Sequence, residues 1–94
     1  MMVSVVIPTY NSGRTLEKCL KSIVDQIYKN IEIIVVDKFS EDKTVEIAKS
    51  YGARIIQDYG ERARAKKIGL KKAKGKYVLF IDSDMKLSVE LMEK

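Results

Sequence analysis

Apolar residues in this chain come in short continuous runs, separated by stretches where they recur every third or fourth position. The first run, Val3 to Ile7, is rich in β-branched residues and predicts a strand that Pro8 ends. Asn11-Ser12-Gly13 then supplies turn and helix-capping residues. Leu16, Cys19, Leu20, Ile23, Val24 and Ile27 fall on one helical face, predicting a helix over Arg14 to Gln26. In that stripe Cys19 reads as a small buried apolar residue. A second β run, Ile31 to Val36, ends at Asp37. Ser40-Glu41-Asp42 offers caps and negative charge for a helix from about Lys43 to Tyr51, burying Val45, Ile47, Ala48 and Tyr51 and stopping at Gly52. A shorter strand is expected over Ala53 to Gln57, a basic helix from about Glu61 to Lys74 ending at Gly75, and a fourth strand over Tyr77 to Ile81. Ser88 is expected to cap a last helix that begins Val89-Glu90-Leu91-Met92.

The pattern is β-α-β-α-β-α-β-α, with no repeat and no linker, so residues 1–94 read as a single α/β domain. Strands that are apolar on both faces belong to a parallel sheet covered by helices. Crossovers between parallel strands are right-handed. Setting strands one, two and three side by side therefore places the first two helices on one face. The third helix covers the other face only if strand four lies on the far side of strand one, giving the order 3-2-1-4. Ligands in such sheets bind where the order reverses, off the carboxyl ends of the strands. Pro8-Thr9-Tyr10-Asn11, Asp37 and Asp82-Ser83-Asp84 should then border one crevice.

Composition narrows the chemistry. The chain has 94 residues, one cysteine and no histidine. Histidine-based acid–base catalysis, Ser-His nucleophile pairs and most zinc designs are thereby excluded. A bound metal should be a hard ion held by oxygen. The single Cys19 forms no internal disulfide, and the start of the chain does not have the pattern of a signal peptide, so a reducing cytoplasm is the expected location. No apolar run reaches the length of a membrane span. The net charge of +5 is concentrated in Arg62, Arg64, Lys66, Lys67, Lys71, Lys72, Lys74 and Lys76. That cluster suits an anionic partner (a nucleotide, a membrane surface or nucleic acid), or is simply a solvated helix face.

Two carboxylates two residues apart at the end of a buried strand, Asp82 and Asp84, can project to one side. Mg²⁺ or Mn²⁺ is commonly held by one or two carboxylates together with substrate phosphates. The plain alternative is a pair of solvated turn residues. Asp37 reads either as an acceptor for a ribose or base, or as a capping aspartate. Tyr10 either lies against a nucleobase or closes the sheet edge. Gly69 interrupts a good helix, a cost that makes sense if that helix approaches sheet or ligand closely.

These pieces in this order resemble the N-terminal, nucleotide-sugar-binding half of the family-2 glycosyltransferases. The matching text runs from Val3 through Pro8-Thr9-Tyr10-Asn11, then Glu32 to Asp37 with Ser40 and Asp42, then Ala65 and Gly69-Leu70, and finally Ala73 through Asp82-Ser83-Asp84. The resemblance implies a truncated GT-A-type fold: a three-layer, Rossmann-like parallel sheet of four strands flanked by helices. It implies a nucleotide-diphosphate sugar of UDP or GDP type, with Pro8, Thr9, Tyr10, Asn11, Asp37, Lys66 and Asp82 in its binding site. It also implies a divalent metal, Mn²⁺ or Mg²⁺, at Asp82 and Asp84, with Asp84 the direct ligand. The chemistry implied is inverting transfer of the sugar to an acceptor.

Three departures from that pattern stand out. Lys38 replaces the second acidic or small polar residue after the first aspartate, and Lys66-Lys67 replaces an Arg-Asn pair. The acceptor half and its general base are expected beyond Lys94, so this chain alone is expected to bind nucleotide weakly and to turn over little or nothing. Strand four is expected at an exposed sheet edge, inviting a homodimer. A non-enzymatic alternative is a basic α/β module holding an anionic partner or touching a membrane surface peripherally; nucleic acid is not the expected partner.

Overall fold

A computed structural model describes residues 2–26, 30–83 and 89–94. The elements are β1 (Val3–Thr9), α1 (Gly13–Gln26), β2 (Ile31–Asp37), α2 (Thr44–Ser50), β3 (Arg54–Gln57), α3 (Arg62–Lys72), β4 (Tyr77–Ile81) and β5 (Val89–Glu93). They build one sheet of order β3-β2-β1-β4-β5. The first four strands are mutually parallel, as expected, and β1 lies between β2 and β4.

Alternation along the strands sorts the core into two layers. Val5 and Ile7 of β1, Ile33 and Val35 of β2 and Ile81 of β4 face α1 and α2. Val6, Ile34, Val36, Val78 and Phe80 point to the other side and pack with Ala65 and Ala73 at the two ends of α3. Right-handed crossovers thus put two helices on one face and one on the other, as the reversal in strand order requires. On α1 the buried stripe is Leu16, Cys19, Leu20 and Ile23; Val24, expected in it, is exposed. Ile27 lies outside the described residues.

Gly69 sits where α3 crosses β1. A Cβ there would overlap Val6 Cγ1, well inside van der Waals contact distance, and lie 2.9 Å from its Cγ2. The missing side chain is what lets helix and sheet meet. Gly52 adopts φ +77° and closes α2 with its amide on the Lys49 carbonyl.

The end of the sheet differs from expectation. Val89 to Glu93 forms a strand, not a helix, antiparallel to β4 with Leu79 opposite Leu91. The unpaired edge of β4 offers them a full ladder of backbone partners instead. Strand β4 is therefore interior, and the sheet has five strands with β3 and β5 at its edges. Ser88, the expected cap, lies outside the described residues. No helix among the described residues is long and apolar enough to cross a membrane.

Candidate functional site

Strand β1 runs two residues past its expected end because Pro8 costs it nothing on the β2 side. The Thr9 carbonyl accepts from the Lys38 amide at 2.9 Å, so Thr9 faces β2 and Pro8 faces β4. Pro8 has no N–H to give β4, and the β1–β4 ladder ends before it, at Val6 opposite Phe80. Beyond that point the two strands no longer pair, and a cleft of 370 Å³ opens between their carboxyl ends.

The loop after β1 is fixed by the loop after β2. Thr9 lies opposite Asp37 in register, and its hydroxyl donates to the Asp37 carboxylate at 2.7 Å. The same carboxylate accepts from the Ser40 amide (2.8 Å), the Ser40 hydroxyl (2.5 Å) and the Gln57 side-chain amide (3.4 Å). Asn11, at φ 46°, donates its amide to Ser40 Oγ and accepts the Glu41 amide on its own side chain. Ser12 N–H donates to Thr44 Oγ1 (2.8 Å), and Gly13 N–H to Asp42 Oδ2 (3.0 Å). Asp42 also accepts the Thr44 amide at 2.9 Å, so one carboxylate serves the first turns of both α1 and α2. Hydrogen bonds from the Thr44 hydroxyl, then the Thr44 and Gly13 amides, hold Asp42 below its ordinary pKa.

This network decides where the expected site residues lie. Pro8, Thr9, Tyr10 and Asp82 line the cleft together. Asn11 and Asp37 stand behind it, with Asp37 fully buried and occupied by its neighbours. Lys66 opens onto a smaller adjoining recess shared with Pro8, Arg62 and Asp82, its ammonium 5.7 Å from the centre of the Phe80 ring. Asp84 lies outside the described residues.

The rest of the lining comes largely from the loop after β3, which the sequence reading left out. Asp58, Gly60, Glu61 and Arg62 join Lys38, Ser12 and Ser83 around the cleft. The available signal was topological: in a parallel sheet every strand-to-helix loop emerges at the same edge, so Asp58-Tyr59-Gly60 belonged with the other three. The acidic side chains here are paired with cations. Asp58 accepts from Arg64 Nε and from the Gly60 amide, both at 2.8 Å, and these bonds, the arginine's first, keep it below its usual pKa. Glu61 pairs with Lys38, and the Lys38 ammonium lies 5.8 Å from the centre of the exposed Tyr10 ring. Asp82, 8% exposed, pairs with Arg62, and its backbone carbonyl accepts from the Cys19 thiol at 3.7 Å.

Of the described residues expected to hold a divalent ion, Asp82 alone can be placed, and its carboxylate has the hard oxygen donors such an ion takes. Asp82 presents a nearly buried carboxylate that already has a cation against it, at a cleft lined by hydroxyls. Among the described residues no three acidic, histidine or cysteine side chains cluster, so such an ion would need ligand oxygens to complete its shell.

A mostly parallel sheet covered by helices on both faces, with a polar cleft at its reversal point, is an α/β architecture in which ligands bind off the carboxyl ends of the strands. The chain belongs to glycosyl transferase family 2, whose family model matches residues 4–94. It is 40% identical over 90 residues to the glycosyltransferase GlyG of Streptococcus pneumoniae, covering 88% of this chain and 30% of GlyG. Residues 1–349 of S. aureus TarS in complex with UDP superpose with a TM-score of 0.79 at 33% identity, over 89% of this chain and 28% of that one. The mannosyltransferase PcManGT of Pyrobaculum calidifontis, in complex with GDP-Man and Mn²⁺, gives a TM-score of 0.76 at 29% identity, over 87% of this chain and 27% of that one. The chain thus spans less than a third of each of these relatives.

Proposed function

We propose that this chain is the donor-binding unit of a glycosyltransferase, taking a nucleotide-diphosphate sugar of UDP or GDP type together with Mn²⁺ or Mg²⁺. One observation carries the reading: Tyr10 and Asp82, from opposite ends of the sequence, line a single cleft where the strand order reverses. In this reading the base lies against the exposed Tyr10 ring, and the Pro8–Thr9 segment forms the floor. Asn11 and Asp37 hold that floor in place from behind. The diphosphate lies toward Asp82, with Lys66 beside it. Asp82 and Asp84 would hold the metal, which would supply positive charge to a departing diphosphate. The ligands of TarS and PcManGT support the donor class and the ion. Transfer also needs an acceptor site and a general base, and no described residue is assigned either role. The 94-residue polypeptide by itself is therefore expected to bind donor without appreciable turnover.

Titration calorimetry with UDP and GDP, with Mn²⁺ and with EDTA, tests this. Binding of at least one nucleotide is expected with Mn²⁺ and is lost in EDTA. Replacing Tyr10 by Ala weakens it about tenfold, the lower end of what a base–aromatic stack contributes, and leaves the melting temperature unchanged. A folded sample that binds neither nucleotide in Mn²⁺ would refute the proposal.

A further inference from the structure

We infer that Lys38 and Glu61, and not Asp37, read the edge of the donor's base, and that together they select guanine. The inference rests on the donor-site reading and deepens it by naming the base.

Asp37 is closed to a ligand. Its carboxylate is fully buried and already accepts from Thr9, Ser40 and Gln57. The next residue, Lys38, does line the cleft, and so does Glu61 from the loop after β3. The two side chains pair with each other, and the Lys38 ammonium lies 5.8 Å from the centre of the Tyr10 ring. A base stacked on that ring presents its rim to this pair. A second contact holds the two loops together. Phe39, next to Lys38, stacks on Tyr59, with ring centres 4.0 Å apart and planes 20° from parallel. Neither ring lines the cleft, so the stack fixes the wall without competing for the base. The ion pair itself is easily opened: its side chains are 38% and 80% exposed, and pairs in such surroundings contribute little.

An ammonium only donates, and a carboxylate only accepts, through two oxygens. The pairing edge of guanine has one acceptor, O6, beside two donors, N1–H and the N2 amino group. Lys38 matches the first and the two oxygens of Glu61 match the others, a bidentate, charge-assisted contact. Uracil flanks its single N–H with a carbonyl on each side, so one Glu61 oxygen would meet a carbonyl with no proton between them. Adenine and cytosine have an acceptor where guanine has N1–H, and leave one Glu61 oxygen without a donor.

The test is titration calorimetry of the full chain with GDP, IDP and UDP, each at saturating Mn²⁺, on wild type, Glu61→Gln and Lys38→Met. Ratios between nucleotides cancel what the ligands share: ribose, diphosphate, ion and the stack on Tyr10. Wild type is expected to bind GDP about tenfold tighter than IDP, which has O6 and N1–H but no N2 amino group, and about tenfold tighter than UDP, the scale of one charge-assisted bond. Glu61→Gln should bind GDP and IDP equally, because its side chain offers one acceptor in place of two. Lys38→Met should weaken GDP about tenfold and keep the preference for GDP over IDP. Equal binding of GDP and IDP by wild type, or a preference for UDP, overturns the selection of guanine. A preference that survives in Glu61→Gln overturns the role of Glu61, and an unchanged GDP affinity in Lys38→Met overturns that of Lys38. If wild type binds nucleotides in a metal-dependent way without discriminating among them, this inference alone fails; if it binds none, the donor-site reading falls with it.

Discussion

Replacing Gly69 by Ala sets two known effects against each other, and the structure decides between them. Helix propensity favours alanine by about 1 kcal/mol in a helix interior. Packing opposes it. The new methyl would overlap Val6 Cγ1 and come within 2.9 Å of Cγ2 and 3.1 Å of Cβ. Val6 cannot yield easily: it is fully buried, β-branched and set in the central strand between β2 and β4. Overpacking of this kind costs about 1–3 kcal/mol, and a fixed neighbour puts this site in the upper part of that range. The net expectation is a loss of about 1–2 kcal/mol, which in a domain of this size lowers the melting temperature by about 5–15 °C. Urea denaturation followed by circular dichroism measures it. Val6→Ala in the same background should recover part of the loss through a favourable coupling of about 1 kcal/mol. A Gly69→Ala protein as stable as wild type, or more so, would show that α3 is seated loosely and that the close approach to β1 is not what selects glycine. The same variant should also weaken nucleotide binding, because α3 carries Arg62 at its start.

Two further outcomes follow from the hydrogen-bond network. Asp37→Asn puts an amide donor among Thr9, Ser40 and Gln57, all of which donate to the carboxylate, and is expected to cost about 2–3 kcal/mol in denaturation experiments; a loss below about 0.5 kcal/mol would mean that the loops after β1 and β2 are not held through this residue. Glu32 governs part of the acid sensitivity. Burial pushes its pKa up, but the Ser4 hydroxyl, the Lys74 amide and the charges of Arg54 and Lys74 together outweigh that and hold it below 4.5. A depressed folded value means stability that is complete above the unfolded pKa and is lost as pH falls through the folded one. Urea midpoints measured down through the carboxylate range should therefore fall less steeply for Glu32→Gln than for wild type, and parallel curves would contradict the assignment.

Much of this architecture was legible because two periodicities agreed. Near-continuous apolar runs in Val3–Ile7 and Ile31–Val36 required cover on both faces, and handedness then left one workable strand order. The missed features share a cause: each depended on what a segment met in space. The pattern Val89-Glu90-Leu91-Met92 suits a helix turn or a strand, and the edge of β4 made the choice. Val24 lies within the apolar stripe of α1 by spacing, yet the sheet contacts only its narrower centre. Asp37 offered a ligand acceptor or a loop tie. Its register with Thr9 places it among hydroxyl and amide donors of its own chain, a fact carried by the pairing of β1 with β2 rather than by the residues around it.

The same dependence on assembly bears on why metal and nucleotide should act together. Among the described residues, the cleft lining has two cations, Lys38 and Arg62, against three carboxylates, Asp58, Glu61 and Asp82, which leaves it at −1. Arg64, paired with Asp58, and Lys66, in the adjoining recess, bring the surroundings to +1. The net charge of +5 therefore says little about this cleft, since most of the basic cluster extends along α3 and past its end. A diphosphate arriving alone would meet two lining cations already paired with carboxylates, Lys38 and Arg62, and Lys66 at the edge. A divalent ion would shift the lining from −1 to +1. Charge balance thus gives the proposed donor site a reason to bind an anionic ligand more tightly in company with a cation, independent of any particular coordination geometry.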